Sequence, residues 1–589
     1  MIEVTANHQQ NHAHTTILRD LVDGLLFEDV FGLLTKSEAL QIASDTILKY
    51  GNEDKALYIP VYHSGLNIYR LKGTTVFVKD NDEQHEINAL GLWDALVEMN
   101  APSSSELNTV RFREGLEVAM DQLTAQLAGL TLSEHPFIKS EQFASLKDRP
   151  FHPLAKEKRG LGKSDYQQYQ PEYFKTFSLK TVAIHRDYIL KSEYLNESLL
   201  NKALAIEDED ILAHTLESAG LSSESYMVFP VHPWQMTHVI PEMFQAEIAA
   251  RIIVPLDYEF GEFLPSSSMR SLIDIQRPFQ HIKVPFSMQS LGALRLTPTR
   301  YLLNGEKAEQ LLSEIIAQDS TLENKVALCN EKQWLSFFNA DKDIFQDQIG
   351  HLTTQIRSYP KQVTAPSSQL VSMAALAAHD ATLYEDILGI AQDQMESQQL
   401  EVLFDEMIDQ FLHIMLKFMQ NGVLPEVHGQ NILILFKEGH VDQFILRDHD
   451  TVRIYPRWMY ENNIDIPQYA ISKNSPNTLI NEDIETFFTY FQTLAVSVNL
   501  YAIVDMLHHV FGLDELMLMN KIKSSLSKHV QQMDCSEVDK AQVQHILFEK
   551  QMWPFKRVLL PLLHQQESGG GSMPSSIGTI PNPMMRHEQ

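Results

Sequence analysis

The sequence predicts an α+β protein made of three successive parts. Apolar residues recur at helical spacing near the N terminus, short β-branched and aromatic runs separated by prolines fill the next part, and long helical patterns dominate the remainder. A chain of 589 residues also exceeds what one hydrophobic core usually organises. We therefore expect a helical and β domain at residues 1–130, a strand-rich domain at 131–300, a mainly helical domain at 301–567 and a flexible tail at 568–589.

The first part opens with helices. The apolar spacing of residues 16–48 is helical and continues through Leu40–Leu48, which predicts an N-terminal helical hairpin. Residues Ala56–Lys79 are rich in Val, Ile, Tyr and Thr and predict strands, and Leu92–Ala128 returns to a helical pattern.

The other two parts differ in their runs of apolar residues. Between about residues 134 and 299 the runs are short and interrupted by prolines, as in Tyr226–Val231, which predicts strands. Helical patterns follow, as in Glu401–Met419 and Ile484–Leu507. Glycine and serine at Ser568–Ser572 have the composition of a flexible linker.

The balance of charge limits the partners. The 47 Lys and Arg residues against 77 Asp and Glu give a net charge of −30, which repels nucleic acid and anionic lipid, so we expect neither as a partner. The same field disfavours ATP or citrate unless cations are gathered locally, so every basic cluster is informative. Two cysteines are too few for a disulfide scaffold, and the N terminus lacks the basic and apolar regions of a signal peptide. We expect a cytoplasmic protein.

One segment of the third part carries chemistry. The helix Glu401–Met419 meets Asn421-Gly422, a pair that ends helices, and a loop then leads into the strand Ile432–Phe436. A turn at Lys437–His440 and a second strand at Val441–Leu446 complete a predicted β-hairpin.

The two ends of this hairpin predict a metal and nucleotide site. Paired antiparallel strands keep their ends adjacent, so Asn431 and Asp448 become neighbours. With Glu426 they offer oxygen ligands suited to Mg²⁺ bridging phosphates, as in kinase catalytic loops. In the structural alternative, Asn431 caps a turn, Asp448 pairs with Arg447 or Arg453, and His428 is an ordinary loop histidine.

Two further segments could hold anions. The segment Pro265–Ser271 places four hydroxyls and the Arg270 guanidinium within seven residues, and the cations Lys283 and Arg295 follow on predicted strands. The segment Lys147–Gly160 holds five cations and a histidine. A solvated loop and a solvated charged face are the alternatives, and no P-loop or GxGxxG pattern is present.

Four blocks, taken in order, carry a resemblance to a known family. They are His152-Pro153 with Lys156, Val231–Gln235, Ser268–Ser271 with Lys283 and Arg295, and Glu426–Asn431 with Arg447-Asp448. Over about residues 130 to 450 the chain resembles the NRPS-independent siderophore synthetases, the aerobactin-synthetase-like ligases. Taken alone, the Val231–Gln235 block is typical of a structural strand end.

The resemblance implies a fold likened to a cupped hand, with thumb, fingers and a kinase-like palm, and with ATP and Mg²⁺ in the central cleft. It implies an ATP site formed by His152, Lys156, Ser268, Arg270, Ser271, Lys283 and Arg295. It likewise implies a metal site of Glu426, Asn431 and Asp448, and it puts the catalytic residues His428, Gln430 and Arg295 near the acid substrate.

The implied reaction is ATP-dependent adenylation of a polycarboxylic acid, followed by condensation with an amine or alcohol and release of AMP and pyrophosphate. The family's first loop often reads Gly-His-Pro-x-His-Pro, whereas this chain has Asp148–Pro153, and Ser271 stands where threonine is usual. The altered loop leaves the acid open among citrate, a citryl half-amide and α-ketoglutarate. A homodimer is left open as well.

Two other functions suit the same residues. A small-molecule kinase would use the histidine, asparagine and aspartate of the hairpin for γ-phosphoryl transfer. A nucleotide-binding protein without catalysis would bind ATP tightly and release no pyrophosphate. The products separate these from the ligase, because AMP and pyrophosphate indicate the ligase and ADP indicates the kinase.

Overall fold

The computed structural model describes residues 2–81, 83–146, 149–205, 208, 210–290, 293–339, 343–472, 479–564 and 576–585. Lys147 and Asp148, which belong to the predicted basic loop, lie outside these residues.

The N-terminal part packs helices against a six-stranded antiparallel sheet. Its strands are β1 Glu38–Ile42, β2 Asp45–Gly51, β3 Lys55–His63, β4 Tyr69–Leu71, β5 Val76–Asp80 and β6 Glu83–Ile87. Its helices are α1 Ile2–Phe27, α2 Ala89–Met99, α3 Ala101–Ser104 and α4 Thr109–Gly129. Apolar residues of α1, α2 and α4 and of the sheet share one core, which Leu559 and Leu563 complete from the far end of the chain.

The predicted helical hairpin is wrong in its second half. Residues Leu40–Leu48 lie in the antiparallel pair β1–β2, in which Glu38 is opposite Lys49. A left-handed turn at Phe31 and Gly32 follows α1, so the helical spacing does not carry across it. The pair lies at the edge of the sheet, where Leu48 is 2% exposed and Ile42 is 55% exposed. The apolar residues were compatible with both periods, and pairing with β3 decided for strands.

The second part is built on an eight-stranded antiparallel sheet, in the order β8-β16-β17-β12-β11-β10-β7-β9. The strands that precede residue 300 are β7 Phe177–His185, β8 Ile189–Lys191, β9 Tyr226–Val231, β10 Ile253–Pro265, β11 Ser271–Asp274, β12 Gln280–Lys283, β13 Gln289–Ser290 and β14 Ala293–Leu294. Two strands of this sheet follow residue 300, namely β16 Asn330–Phe337 and β17 Thr353–Ser358. The strand before them, β15 Val326–Leu328, belongs to a separate four-stranded sheet. Because β16 and β17 join the large sheet, the predicted boundary at residue 300 falls inside it. The helices of this part are α5 Pro136–Leu146, α6 Lys163–Tyr169, α7 Glu197–Ala205, α8 Asp210–Ser218, α9 Pro233–His238, α10 Ile240–Met243 and α11 Gln245–Ala249.

The C-terminal part is mainly helical. Its helices are α12 Thr299–Gln318, α13 Met373–Leu376, α14 Thr382–Leu388, α15 Ser397–Gln420, α16 Pro456–Glu461, α17 Ile484–Tyr490, α18 Tyr501–Phe511, α19 Glu515–Gln531, α20 Glu537–Gln544 and α21 Leu560–His564. Its strands are β18 Ser368–Ser372, β19 Val423–Leu424, β20 Ile432–Lys437, β21 His440–Leu446, β22 Arg453–Ile454, β23 Met552–Lys556 and β24 Ile577–Pro581. A four-stranded sheet of order β15-β21-β20-β18 packs on α15 and α12.

One helical run of this part is long and apolar enough, by length and composition, to cross a membrane. It spans Ile484–Phe511, with a π-helical stretch at Phe491–Leu500 between α17 and α18. Of its most apolar window, 72% is buried inside the protein. That burial is what a core helix shows.

The predicted flexible tail is wrong for the residues that are described there. Strand β24 pairs antiparallel with β23, with Ile580 opposite Trp553. Ile580 is 3% exposed and Met584 is 1% exposed, so both anchor the end of the chain in the core of the C-terminal part. Apolar residues beyond the glycine- and serine-rich segment outweigh the linker composition that precedes them. Residues 565–575 and 586–589 lie outside the description.

Candidate active site

Helix α15 leads directly into the loop and hairpin that carry the site residues. Its predicted apolar face is confirmed, because Leu403, Met407, Phe411 and Met415 are all buried. The helix ends at Gln420, and Gly422, two residues later, has a φ of 72° in the left-handed region. A Cβ on Gly422 would lie 2.5 Å from the Tyr455 carbonyl oxygen, so the chain can turn this closely only with glycine.

The predicted β-hairpin is confirmed. Strands β20 and β21 pair with Ile432 opposite Leu446, and the turn uses left-handed residues at Glu438 and Gly439. At the open end, the Arg447 N–H donates to the Asn431 carbonyl at 3.1 Å. Asn431 and Asp448 are therefore brought to one end of the hairpin, as the sequence predicts.

Asp448 lies at the centre of a buried cluster of ions. Its carboxylate pairs with the Lys283 ammonium and accepts a 2.8 Å hydrogen bond from Arg357. Burial alone raises the pKa of Asp448, but Lys283 and Arg357 hold it well below its usual range. The alternative in which Asp448 pairs with Arg447 or Arg453 is wrong, since those arginines bind other acids. Asp448 itself has a left-handed φ of 61°.

Glu331 holds that left-handed turn in place, and sequence reasoning missed it. Its carboxylate accepts the backbone N–H of Asp448 at 2.9 Å and that of His449 at 3.4 Å, and it also binds Arg357. Glu331 and Arg357 are 3% and 1% exposed. The signal that could have found Arg357 is a cation next to Ile356 in a short run of strand-forming residues, because a buried strand holds a cation only beside a group of opposite charge.

Arg447 ties the hairpin to the strand-rich part. Its guanidinium donates to Glu141 at 2.6 Å, to the Tyr359 hydroxyl at 2.7 Å and to the Gln430 carbonyl at 2.8 Å. Glu141 also accepts the Ser267 hydroxyl at 2.7 Å. Burial alone raises the pKa of Glu141, but Arg447 lowers it to about 2. Arg447 therefore positions the hairpin and is fully occupied by protein groups.

The serine-rich segment forms the loop between β10 and β11 beside this cluster. The Ser268 hydroxyl accepts the backbone N–H of Ser271 at 3.1 Å, and the Ser271 hydroxyl accepts from Arg357 at 3.3 Å. The Arg270 guanidinium donates to the Leu296 carbonyl, while its Nε is buried without a hydrogen-bond partner. Burial lowers the pKa of Arg270, and the carboxylates of Asp448 and Asp450 oppose that shift. Lys283 thus pairs with Asp448, Ser271 shares Arg357 with it, and Arg270 is close enough for their charges to interact. The role of these residues at ATP stays a prediction.

The other two predicted metal ligands, Glu426 and Asn431, are hydrogen-bonded to the chain on either side of Asp448, at Thr451 and Arg447 respectively. Glu426 accepts from the Thr451 hydroxyl and lies 3.5 Å from an Arg453 nitrogen. The Asn431 Oδ1 atom is buried without a hydrogen-bond partner. A fourth oxygen group, Asp450, was not predicted, and burial raises its pKa to about 6. Within the described residues, no group of three or more His, Cys, Asp or Glu side chains could hold a metal by itself.

His428 and Gln430 lie on the loop that precedes β20. The His428 Nε2 atom lies 3.0 Å from an Arg149 guanidinium nitrogen, and its Nδ1 faces the Gln430 backbone N–H at 3.3 Å. The Gln430 side-chain amide donates to Ser267 at 3.1 Å. Gly429 between them has no room for a side chain, because a Cβ would lie 2.6 Å from Asn499 Oδ1.

A lysine that the sequence analysis did not single out completes the site. Burial and the nearby positive charges of Arg149, Arg453 and Arg295 lower the pKa of Lys556 to about 8, against the opposing effect of Glu426. Lys556 ends β23, more than a hundred residues after the hairpin. No motif surrounds it, so only the fold places it here.

Two predicted ATP ligands have mainly structural contacts among the described residues. His152 is 7% exposed, and its Nδ1 accepts the Leu154 backbone N–H at 3.1 Å. Lys156 donates to the Ser145 carbonyl, and its charge lies near the buried Glu172. Its role at ATP stays a prediction, as does that of His152.

Comparisons with known proteins decide the family. The chain is 49% identical over 581 residues to staphyloferrin B synthase of Staphylococcus aureus, covering 98% of this chain and 99% of that protein. The chain belongs to the NRPS-independent siderophore synthetases. A family model described as IucA / IucC family matches residues 136–378, and one described as ferric iron reductase FhuF-like transporter matches residues 401–571.

More distant siderophore synthetases share the sequence or the fold. Aerobactin synthase of Escherichia coli is 26% identical over 347 residues, which cover 56% of this chain and 58% of that protein. The petrobactin biosynthesis protein AsbB from Bacillus anthracis has a similar fold, with a TM-score of 0.80 at 16% identity, covering 98% of this chain and 96% of that one. ATP-bound aerobactin synthetase IucA from Klebsiella pneumoniae has a TM-score of 0.74 at 18% identity, covering 96% and 99%.

As a member of this family the chain is a ligase of siderophore biosynthesis. The predicted family, reaction class and mixed α+β fold are confirmed. The kinase and the non-catalytic nucleotide-binding protein are thereby disfavoured.

Proposed function

We propose that this synthetase adenylates one carboxylate of a di- or tricarboxylic acid and transfers the acyl group to an amine or alcohol. The observation that carries this proposal is the set of cations gathered at the Asp448 end of the hairpin. These cations contact or electrostatically influence one another or the acids Asp448 and Glu426. They are Lys283, Arg270, Arg149, Arg295 and Lys556. In a chain of net charge −30, such a cluster is suited to bind a triphosphate and a polyanionic acid together.

The cations divide into two groups by their neighbours. Lys283 and Arg270 lie with Asp448 and the serine loop, and we assign them to the phosphates of ATP with Ser268 and Ser271. Arg149 and His428 lie together, and Lys556 lies near Arg149 and Arg295, so we assign this side to the acid. Arg295 then serves both ligands.

The reaction follows from these positions. A carboxylate oxygen of the acid attacks the α-phosphorus of ATP, the bond to the pyrophosphate oxygen breaks, and pyrophosphate leaves. Lys283, Arg270 and Arg295 offset the negative charge that develops on the phosphate oxygens. The nucleophile then attacks the acyl carbon, AMP leaves, and the nucleophile loses its proton. Either nitrogen of His428 could take up that proton only after its present donor has moved away.

The residues at the end of the hairpin fit a magnesium ion. Glu426, Asn431, Asp448 and Asp450 provide oxygen atoms, and the unpartnered Oδ1 of Asn431 is an acceptor without a donor. Mg²⁺ is commonly held by one or two carboxylates together with substrate phosphates, which agrees with the lack of a complete group of ligands among the described residues. When bound, Mg²⁺ supplies positive charge at the phosphate oxygens.

The similarity to staphyloferrin B synthase supports a narrower proposal for the product. We infer that the product is staphyloferrin B or a close relative of it, because the identity of 49% extends over nearly the whole of both chains. We further propose a thumb, fingers and palm arrangement in which the fingers extend past residue 300 to include β16 and β17, and a cytoplasmic location. Whether the chain forms a homodimer stays open.

The test is a hydroxylamine-trapped adenylation screen with the full chain, ATP and Mg²⁺ over citrate, citryl monoamides, α-ketoglutarate and succinate. We expect hydroxamate, AMP and pyrophosphate with one of these acids. Formation of ADP in place of AMP would overturn the proposal in favour of a kinase.

A further inference from the structure

Arg149 is a cation without a carboxylate partner in the described part of the chain. Its one described polar contact is the 3.0 Å approach to His428 Nε2, and its own Nε is buried without a hydrogen-bond partner. A guanidinium stays protonated at every physiological pH. Arg149 is half-buried, and a partly desolvated cation without a counter-ion favours an anionic ligand.

Other cations lie near Arg149 and further favour an anionic ligand there. Its charge contributes to lowering the pKa of Arg270 and that of Lys556. Arg149 is therefore near both a cation assigned to the phosphates and a cation assigned to the acid. Its direct neighbour is His428, which faces the acid in the proposed function.

The contact between Arg149 and His428 joins groups that do not satisfy one another fully. Arginine has only donors, and a neutral imidazole has one donor and one acceptor nitrogen. Both nitrogens of His428 face donors, namely Arg149 at 3.0 Å and the Gln430 backbone N–H at 3.3 Å. A carboxylate oxygen between the guanidinium and Nε2 would accept from both and remove the conflict.

The neighbouring residue Phe151 fixes the loop that carries Arg149. Phe151 is 7% exposed, has a left-handed φ of 63°, and its ring lies 5.0 Å from the Arg70 guanidinium carbon. Arg70 is itself buried between Asp23 at 2.7 Å and Asp505 at 2.5 Å. Because the loop is anchored two residues away, Arg149 loses less freedom on binding a ligand than an arginine on an unsupported loop.

We propose that Arg149 binds the carboxylate of the acid substrate that is not activated, and that it thereby selects acids carrying a second carboxylate. This specificity role rests on the proposed adenylation of a di- or tricarboxylic acid. It also lies at the loop where this chain departs from the family's usual pattern. The second carboxylate would occupy the space between Arg149 and His428.

The test compares Arg149→Gln and Arg149→Lys with the parent enzyme in the hydroxamate assay. Each is given the acid that the parent uses and analogues in which one carboxylate is replaced by a methyl group. These are levulinate and 2-oxopentanoate for α-ketoglutarate, and 3-hydroxy-3-methylglutarate for citrate. We expect Arg149→Gln to raise the KM for the diacid tenfold to a hundredfold, to leave the KM for ATP within twofold, and to lose the preference for the diacid. Arg149→Lys should recover part of the preference, because the charge remains and the planar fork is lost.

The exposed Arg113, which pairs with Asp94 and Glu117, provides the matched control Arg113→Gln. Circular dichroism and thermal unfolding check that each variant is folded. An undiminished preference for the diacid in Arg149→Gln would overturn the proposal, and so would a raised KM for ATP with an unchanged KM for the acid. A parent enzyme that forms no hydroxamate with any acid would instead overturn the proposed function itself.

Discussion

The substitution Asp448→Asn tests the centre of the site. It keeps the shape of the side chain and one oxygen, and it removes the charge that Lys283 and Arg357 share. Glu331 still pairs with Arg357, so Lys283, whose side chain is 5% exposed, is the cation left uncompensated.

The expected losses of stability and turnover follow from these contacts. Removing one partner of a buried ion pair costs about 3–5 kcal/mol, and the retained oxygen and Glu331 put the expected loss of unfolding free energy at the lower end, about 3 kcal/mol. Turnover should fall by about 10²–10³, the effect of removing one group that stabilises charge in a transition state. The Mg²⁺ concentration needed for half-maximal activity should rise as well.

Pyrophosphate release at several Mg²⁺ concentrations measures turnover, and urea unfolding measures stability. Asp442→Asn makes the same change on β21, the strand that precedes Asp448, at an exposed pair with Lys437, and it should cost less than about 1 kcal/mol and leave turnover unchanged. A folded Asp448→Asn enzyme that releases pyrophosphate within twofold of the parent rate would refute the role assigned to this carboxylate.

Three further predictions concern the surrounding residues. Lys556 is protonated below its pKa of about 8, so the KM for the acid should rise about tenfold per pH unit above pH 8. In Lys556→Arg the KM for the acid should not change with pH over this range. Identical curves of KM against pH for the two enzymes would contradict this prediction. The pKa of Glu141 in the folded protein is about 2, below its ordinary value of 4.5. Ionised Glu141 therefore adds about 3 kcal/mol to the free energy of unfolding above pH 4.5, and this contribution is lost as the pH falls toward 2. Urea unfolding at pH 7 and pH 3 should therefore show a smaller acid-induced loss for Glu141→Gln than for the parent. Gly429→Ala would place a Cβ 2.6 Å from Asn499 Oδ1 and 3.0 Å from the Ala374 nitrogen, so it should lower the free energy of unfolding by about 1–3 kcal/mol. Gly162→Ala, where the Cβ meets open space, should not lower it, and thermal unfolding compares the two variants.

The sequence by itself determined the local machinery of the site. The apolar face of α15, its glycine stop and the hairpin that follows lie within about fifty consecutive residues, and a short turn leaves only one way to pair the two strands. Asn431 and Asp448 were predictable as neighbours for that reason. The search for anion-binding groups found the serine loop and Lys283, and the family resemblance assigned them to ATP.

The same local information failed where two structures suit one pattern. Leu40–Leu48 has apolar residues that fit a helix or a strand, and only its pairing with neighbouring strands decided between them. The C-terminal tail was predicted to be flexible from its glycines and serines, but Ile580 and Met584 find a core built by distant helices. Composition does not show whether such a core lies within reach.

Only the tertiary structure decided which charged groups surround Asp448. Glu331 lies 117 residues from its contact at Asp448, Arg357 lies 91 residues away, and Glu141 lies 306 residues from Arg447. Strand β17 pairs with β12 in the large sheet, with Gln355 opposite Lys283 and Arg357 opposite His281, and this pairing brings Arg357 and Lys283 to the same carboxylate of Asp448. Periodicity along the chain reports which face of an element is buried, and it contains no information about which distant element covers that face.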